Sequence, residues 1–128
     1  MRPGARIRAA AEVLDEILHR HRPASVALAD WGKSSRFAGS GDRAAVGNLV
    51  YDALRRRLSI AARMGSDTSR ALVLGAAGRA LALSPEAIAA TADGSPHSAD
   101  ALSPDELSGL TRAVPQDAPD WVRGDFAE

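Results

Sequence analysis

Apolar residues recur every three or four positions over most of the chain, which is the spacing of amphipathic α-helices. The first such stripe predicts a helix over residues 4–21, with the buried side chains Ile7, Ala10, Ala11, Leu14, Ile17 and Leu18. Its polar side carries three pairs spaced i,i+4, namely Arg8–Glu12, Asp15–His19 and Glu16–Arg20. Pro23 ends this helix because a proline disfavours helical backbone in the residue before it. A shorter helix is predicted over residues 24–33, with Gly32 as its C-cap.

The best-defined helical stripe begins after Asp42, a suitable N-cap residue. Its predicted buried side chains are Val46, Leu49, Val50, Ala53, Leu54, Leu58 and Ala61. Arg57 projects on the same side as this stripe, whereas the two arginines before it point away. The helix therefore either bends there, or Arg57 is partly buried and pairs with a carboxylate. Asp15 and Glu16 are the candidate partners.

Two more helices are predicted over residues 68–82 and 85–92, and a further one begins at Ser103. The residues suited to cap them are Ser66 or Thr68 for the first, Ser84 for the second and Ser103 for the last. Gly75 and Gly78 lie inside the first of these helices, where glycine costs stability and marks a close approach of a neighbouring helix.

The pattern as a whole predicts an all-α bundle of about six helices, because no segment alternates apolar and polar residues as a strand does. The bundle occupies residues 1–113. Residues 114–128 form an acidic, proline-containing tail or linker in which Trp121, Val122 and Phe126 have no periodic face around them.

Composition narrows the possible chemistry. Hydrophobic residues make up 45% of the chain but aromatic residues only 4%, so the core is built from Ala, Leu, Val and Ile. The chain has no cysteine, which excludes disulfides, thiolate metal sites and a cysteine nucleophile. No apolar run approaches the ~18 residues of a membrane span. Acidic residues follow the first arginines closely, which argues against a signal sequence and leaves the cytoplasm as the default location.

The zero net charge conceals a strong asymmetry. Residues 1–63 carry twelve Lys/Arg and six Asp/Glu, whereas residues 64–128 carry four and ten, so the two halves have net charges of +6 and −6. Eleven of the twelve cations in the first half are arginine, whose planar guanidinium suits bidentate phosphate binding. This polarity indicates a polyanionic partner for the first half. The alternative is a solvated basic surface balanced by an acidic one.

The glycines of RFAGSGDRAAVGN do not indicate a nucleotide cofactor. Gly39, Gly41 and Ala44 match the G-x-G-x-x-G/A spacing, but that motif requires a preceding strand, and KSSRF is not one. The segment is therefore predicted to connect into a helix. Metal binding is not indicated either, because His19 and His21 lie on different sides of a helix and His97 stands alone in a loop.

The segment from Arg36 to Arg57, RFAGSGDRAAVGNLVYDALRRR, resembles part of the N-terminal domain of the bacterial RsmB/Sun group of RNA cytosine-5 methyltransferases. That domain has the fold of the transcription antitermination factor NusB. The matching residues are Asp42, Arg43, Leu49, Val50, Tyr51, Leu54 and Arg55. The resemblance extends over most of residues 5–112, and DAPDWVRGDF is similar to the segment that leads into the methyltransferase domain.

Two departures from the family pattern qualify what the resemblance implies. Asp52 stands where the family more often has glycine, and an exposed acid there would weaken RNA contact locally. The methyltransferase half is missing, including its two cysteines and its glycine-rich S-adenosylmethionine loop. The chain alone is therefore expected to have no catalytic residues, no cofactor and no methyltransferase activity.

The resemblance implies a NusB-like, non-catalytic RNA-binding domain of an rRNA cytosine-5 methyltransferase. Its expected partners are RNA, in particular rRNA, and a methyltransferase domain that follows it. A free-standing NusB-like antitermination factor that works with RNA and a protein is the first alternative. A structural module that dimerises through its Leu/Val stripes is the second. A methyltransferase domain encoded just past Glu128 would favour the first interpretation.

The candidate phosphate-binding residues are the arginines near the first and third helices, namely Arg2, Arg6, Arg20, Arg22, Arg36, Arg43, Arg55 and Arg56. Arg43 ranks first among them because it lies in the first turn of a helix, where free backbone N–H groups already favour an anion. The alternative for Arg43 is an ion pair with Asp42 or Glu16. Replacing Arg43 and Arg55 together with Glu is expected to remove salt-sensitive RNA binding without unfolding the domain.

Overall fold

The computed structural model describes residues 1–112, and the regular secondary structure of this part of the chain is entirely α-helical. It contains seven α-helices: α1 (Pro3–His19), α2 (Ala24–Ser34), α3 (Ser40–Arg55), α4 (Arg57–Met64), α5 (Ser69–Ala80), α6 (Pro85–Thr91) and α7 (Pro104–Thr111). The predicted all-α bundle is thus confirmed. The predicted tail, with Trp121, Val122 and Phe126, lies outside the described residues.

Local capping signals located the starts of the later helices correctly. The side chains of Thr68, Ser84 and Ser103 each accept a hydrogen bond from the backbone N–H three residues on. At α7 the Glu106 side chain also accepts from the Ser103 N–H, which completes a capping box.

The third predicted helix is broken into α3 and α4 at Arg56, whose φ and ψ are −112° and 19°. The bend foreseen at this position is therefore correct, and the buried alternative for Arg57 is wrong because Arg57 is exposed. The break also changes which side chains face the core. Leu58, predicted to be buried, is 58% exposed, whereas Ile60 and Met64 are buried.

Asp42 is not the N-cap of α3, as the sequence suggested. The helix begins at Ser40, three residues earlier than predicted, and Gly39 is the N-cap. Asp42 instead occupies the third helical position, where its carboxylate accepts a hydrogen bond of 3.1 Å from the Gly39 N–H. The acid still satisfies a free donor at the helix start, but from inside the helix.

Helix α5 is the centre of the bundle and packs against α1, α3 and α4. Residues 71–77 are all buried, as expected for a helix that is apolar on every side. At Gly75 a Cβ atom would lie 2.3 Å from Cγ2 of Ile60, so the predicted close helix approach is confirmed there. The contact at Gly78 is looser, with the Leu83 carbonyl oxygen at 3.4 Å. Among the described helices, none combines the length and apolarity needed to cross a bilayer.

Candidate functional site

A cavity lies between α1 and α2 and is called here the α1–α2 groove. Its volume is about 550 Å³, and small residues of α1 (Ala5, Ala9 and Val13) line one side. Three aromatic rings, Trp31, Phe37 and His97, also line it, together with Arg8, Glu12, Glu16, Arg22 and Asp30. The groove therefore combines apolar walls with charged groups of both signs.

The loop between α2 and α3 carries Phe37 and is fixed by Arg43. The Arg43 guanidinium donates to the carbonyl oxygens of Gly32 at 3.0 Å and Ala38 at 3.2 Å. Gly32 lies in the last turn of α2, where carbonyls lack helical partners and a cation is favourable. Phe37 itself points away from the core and is 69% exposed.

A second loop, after α6, is fixed on the start of α1 and carries His97. The Gly4 N–H donates to Thr91 Oγ1 at 2.7 Å, and the Gly4 carbonyl accepts from the Ala99 N–H at 3.0 Å. A Cβ atom at position 4 would lie 2.2 Å from Ser98 Oγ, so only glycine permits this approach. With the two loops held in this way, the centroid of the His97 ring lies 6.4 Å from that of the Phe37 ring, and the ring planes are inclined by 41°.

Four cations on the segments that border this groove form no ion pair with any described residue, and these segments are called here the groove rim. Within residues 1–112, Arg2, Arg8, Lys33 and Arg36 are exposed and form no ion pair. Arg8 lines the groove, and each of the other three is next in the chain to a lining residue. The pair predicted between Arg8 and Glu12 does not form, although the two other i,i+4 pairs of α1 do. Positive charge at this rim is therefore available to a ligand.

Several of the predicted phosphate-binding arginines are instead engaged within the fold. Arg6 donates to Asp42 Oδ1 from Nη2 at 2.8 Å, and Arg20 Nε lies 3.3 Å from a Glu16 oxygen. Arg22 pairs with Asp30. This contact lowers the pKa of the Asp30 carboxyl and raises the pKa of Arg22.

Arg43 also serves the fold, but not in the way the sequence suggested. Its expected alternative was an ion pair with Asp42 or Glu16. Its guanidinium instead contacts the two backbone carbonyls that hold the α2–α3 loop. The charge of Arg43 is thus not neutralised by an acid, although its donors are partly used.

Arg55 and Arg56 lie in a different part of the molecule and share the carboxylate of Asp52. Arg55 Nη2 is 3.2 Å and Arg56 Nη1 is 3.9 Å from its two oxygens. Asp52 is only 4% exposed, so the expectation that it is an exposed acid is wrong. Arg55 lines a smaller cleft of about 250 Å³ with Tyr51 and Arg79, and none of the α1–α2 groove residues belongs to it.

Of the eight predicted arginines, only Arg2 and Arg36 are unpaired cations at the groove rim. The sequence analysis missed Arg8, Lys33, Phe37 and His97. An exposed aromatic residue directly after Arg36 was the available signal for this site. The contribution of His97 had no sequence signal, since it depends on the fit of two loops that are 60 residues apart.

Within residues 1–112, no three His, Asp or Glu side chains lie close enough together to hold a metal ion.

Comparisons with protein-family models, curated proteins and solved structures find no match to this chain. The resemblance to NusB-like domains therefore rests on the quoted residues alone and stays a prediction.

Proposed function

We propose that this chain is a non-catalytic RNA-binding domain that holds RNA phosphates along the rim of the α1–α2 groove. The observation that carries the proposal is the set of four cations, Arg2, Arg8, Lys33 and Arg36, without acidic partners around a groove with exposed aromatic rings. Arginine and lysine bind phosphate without reading sequence, so such contacts position an RNA rather than select it.

The resemblance to the N-terminal domain of rRNA cytosine-5 methyltransferases adds a biological role to this proposal. In that role the domain holds rRNA for a methyltransferase domain that follows it, and the chemistry belongs to that other domain. The chain contributes no cysteine nucleophile of its own, which agrees with a positioning role.

The paired arginines have a smaller share in RNA binding under this proposal. Arg6 and Arg22 each already interact with a carboxylate, so binding a phosphate would require them to give up or share that partner. Arg8 and Arg36 have no such partner to lose. The proposed surface is therefore the groove rim, and not the whole set of arginines near the first and third helices.

The salt dependence of RNA affinity tests the proposal. For a single-stranded RNA that contacts four phosphates, affinity should fall about 50-fold between 50 and 200 mM salt, from a slope of ~0.7 per contact. Replacing Arg8 and Arg36 together with Ala should reduce that slope by about 1.4, because two contacts are lost. Fluorescence anisotropy with a labelled RNA measures both quantities.

The matched control is the double variant Arg57→Ala with Arg79→Ala. It removes the same charge from two exposed arginines that do not line the groove. The proposal predicts a nearly unchanged slope for this control. An equal loss in both double variants would show that RNA senses only total charge, and the groove assignment would be wrong.

A further inference from the structure

Phe37 is the most exposed of the large apolar side chains in residues 1–112. An aromatic ring in water forgoes the burial that stabilises such side chains elsewhere. The backbone that carries the ring is well held, since Ser35 is buried and Arg43 fixes the carbonyl of Ala38. The conformation of the loop thus keeps Phe37 exposed, and this exposure favours a ligand at Phe37.

We infer that Phe37 and His97 form a stacking site for one unpaired base of a single-stranded RNA, an inference that rests on the proposed function. The two rings stand 6.4 Å apart and are tilted by 41°, so they do not stack face to face on each other. The high exposure of Phe37 leaves a ring face open. A base that stacks on Phe37 lies close to His97, because the two ring centroids are 6.4 Å apart.

The distribution of charge around the rings favours a nucleotide over an apolar peptide. Arg36 precedes Phe37 in the chain, and Arg8 lines the same groove as Phe37 from α1, so two segments that border the groove carry unpaired cations. These cations suit the phosphates on either side of a stacked base. An apolar peptide segment would leave the same cations without a counter-charge.

The acids of the groove support an unpaired base rather than a duplex. Glu12 and Glu16 also line the groove, where they repel phosphate. The backbone of the RNA is then expected to lie on the side of the cations while the base approaches the carboxylates. Carboxylates that line the groove can accept hydrogen bonds from the exocyclic amino groups of cytosine or adenine, which are free only when the base is unpaired.

The loops that carry the two rings are held in place by hydrogen bonds within the chain. Arg43 fixes the loop of Phe37 with two hydrogen bonds, and Gly4 seats the loop of His97 through its own N–H and carbonyl. A site held in this way loses little conformational freedom when it binds. The close contact at Gly4 is therefore part of the stacking site.

The experiment uses a short single-stranded RNA with 2-aminopurine at one position, because the fluorescence of this base changes when it stacks on a ring. Phe37→Ala should abolish that change and weaken binding about 5-fold or more, the range for loss of one aromatic stacking partner. The salt slope should stay as in the unmodified chain, since no phosphate contact is lost. Affinity for a duplex RNA should also stay the same.

Tyr51→Ala is the matched control, since Tyr51 is an exposed aromatic residue outside the groove. Phe37→Leu keeps an apolar side chain without a π-face and guards against a folding defect, and it should also lose the fluorescence change. The inference is wrong if Phe37→Ala leaves the fluorescence and the affinity unchanged, as it would if the groove binds a protein segment. It is also wrong if Tyr51→Ala has the larger effect.

Failure of this inference can be told apart from failure of the proposed function. Suppose that Phe37→Ala has no effect but the Arg8 and Arg36 double variant still reduces the salt slope. The proposed RNA binding is then supported, and the inferred stacking site is wrong. If the unmodified chain shows no salt-dependent RNA binding at all, both the proposed function and the inferred stacking site are wrong.

Discussion

Arg6 of α1 and Asp42 of α3 are joined by two hydrogen bonds to one oxygen, of 2.8 Å from Nη2 and 3.1 Å from Nε. The Met1 amino group and the Gly39 N–H donate to the same carboxylate, each at 3.1 Å. One acid thus connects the start of the chain, the first helix and the first turn of α3.

The Asp42 carboxyl should make the stability of the domain sensitive to acid. Its bonds from Arg6, Gly39 and the Met1 amino group lower its pKa from 3.8 to about 2. Because the folded-state pKa lies below the unfolded-state pKa, the stabilisation is complete well above pH 3.8 and is lost as the pH falls toward 2. Asp42→Asn should lower Tm by about 5 °C at pH 7 and by clearly less at pH 3.

Thermal unfolding followed by circular dichroism at the two pH values measures this difference. Asp67→Asn serves as the control, because Asp67 is exposed and makes no ion pair within the described part of the chain. A deficit in Asp42→Asn that is as large at pH 3 as at pH 7 would argue that the variant perturbs packing and not an ionised contact.

Arg43 should contribute mainly to the stability of the fold. Arg43→Ala removes two hydrogen bonds from a charged donor to the carbonyls of Gly32 and Ala38, and should cost about 2 kcal/mol of unfolding free energy. Replacing Arg43 and Arg55 together with Glu would combine this loss with any effect on RNA. Arg55→Glu alone measures the share of the loss that comes from the ion pair of Arg55 with Asp52.

Urea unfolding of the three variants checks the Arg43 expectation. Arg43→Lys is the informative companion, because a lysine keeps the charge but lacks the planar fork that reaches both carbonyls. If Arg43→Ala were as stable as the unmodified chain and yet bound RNA more weakly, Arg43 would belong to the RNA surface as first predicted.

Two glycines in helices should respond to alanine in opposite directions. Gly75→Ala places a Cβ atom 2.3 Å from Cγ2 of Ile60 and should destabilise the domain by about 1–3 kcal/mol through overpacking. Gly47→Ala, inside α3, meets no atom within 4 Å and should stabilise it by about 0.5–1 kcal/mol. Equal effects of the two substitutions in urea unfolding would contradict the close approach of α4 and α5.

The parts of the fold that could be predicted depend on neighbours in the sequence. Caps such as Ser84 and Ser103 bond backbone groups three residues away, so a short motif contains all the needed information. The break at Arg56 could be predicted only in part from the sequence. The position of Arg57 against the apolar stripe indicated a conflict, but where the helix stops depends on how α4 packs on α5.

The candidate site was harder to predict because it depends on which charges are already paired. Arg6 finds its acid 36 residues away, and Arg43 finds a carbonyl 11 residues before it. Neither partner follows from local spacing. Conversely, Arg8 has an acid at ideal helical spacing and does not pair with it. Counting arginines therefore located the basic half of the chain but not the cations that remain available to a ligand.

The burial of α5 on every side has a consequence for the exchange of backbone amide hydrogens with solvent. Its residues 71–77 have no exposed face, so local fraying cannot bring water to their N–H groups without separating α5 from α1, α3 and α4. Their deuterium uptake should require unfolding of the whole bundle, and the rate should report the global free energy of unfolding. The short helix α7, the last one in the described part of the chain, has Gly109 as its one buried residue and should exchange first among the described helices.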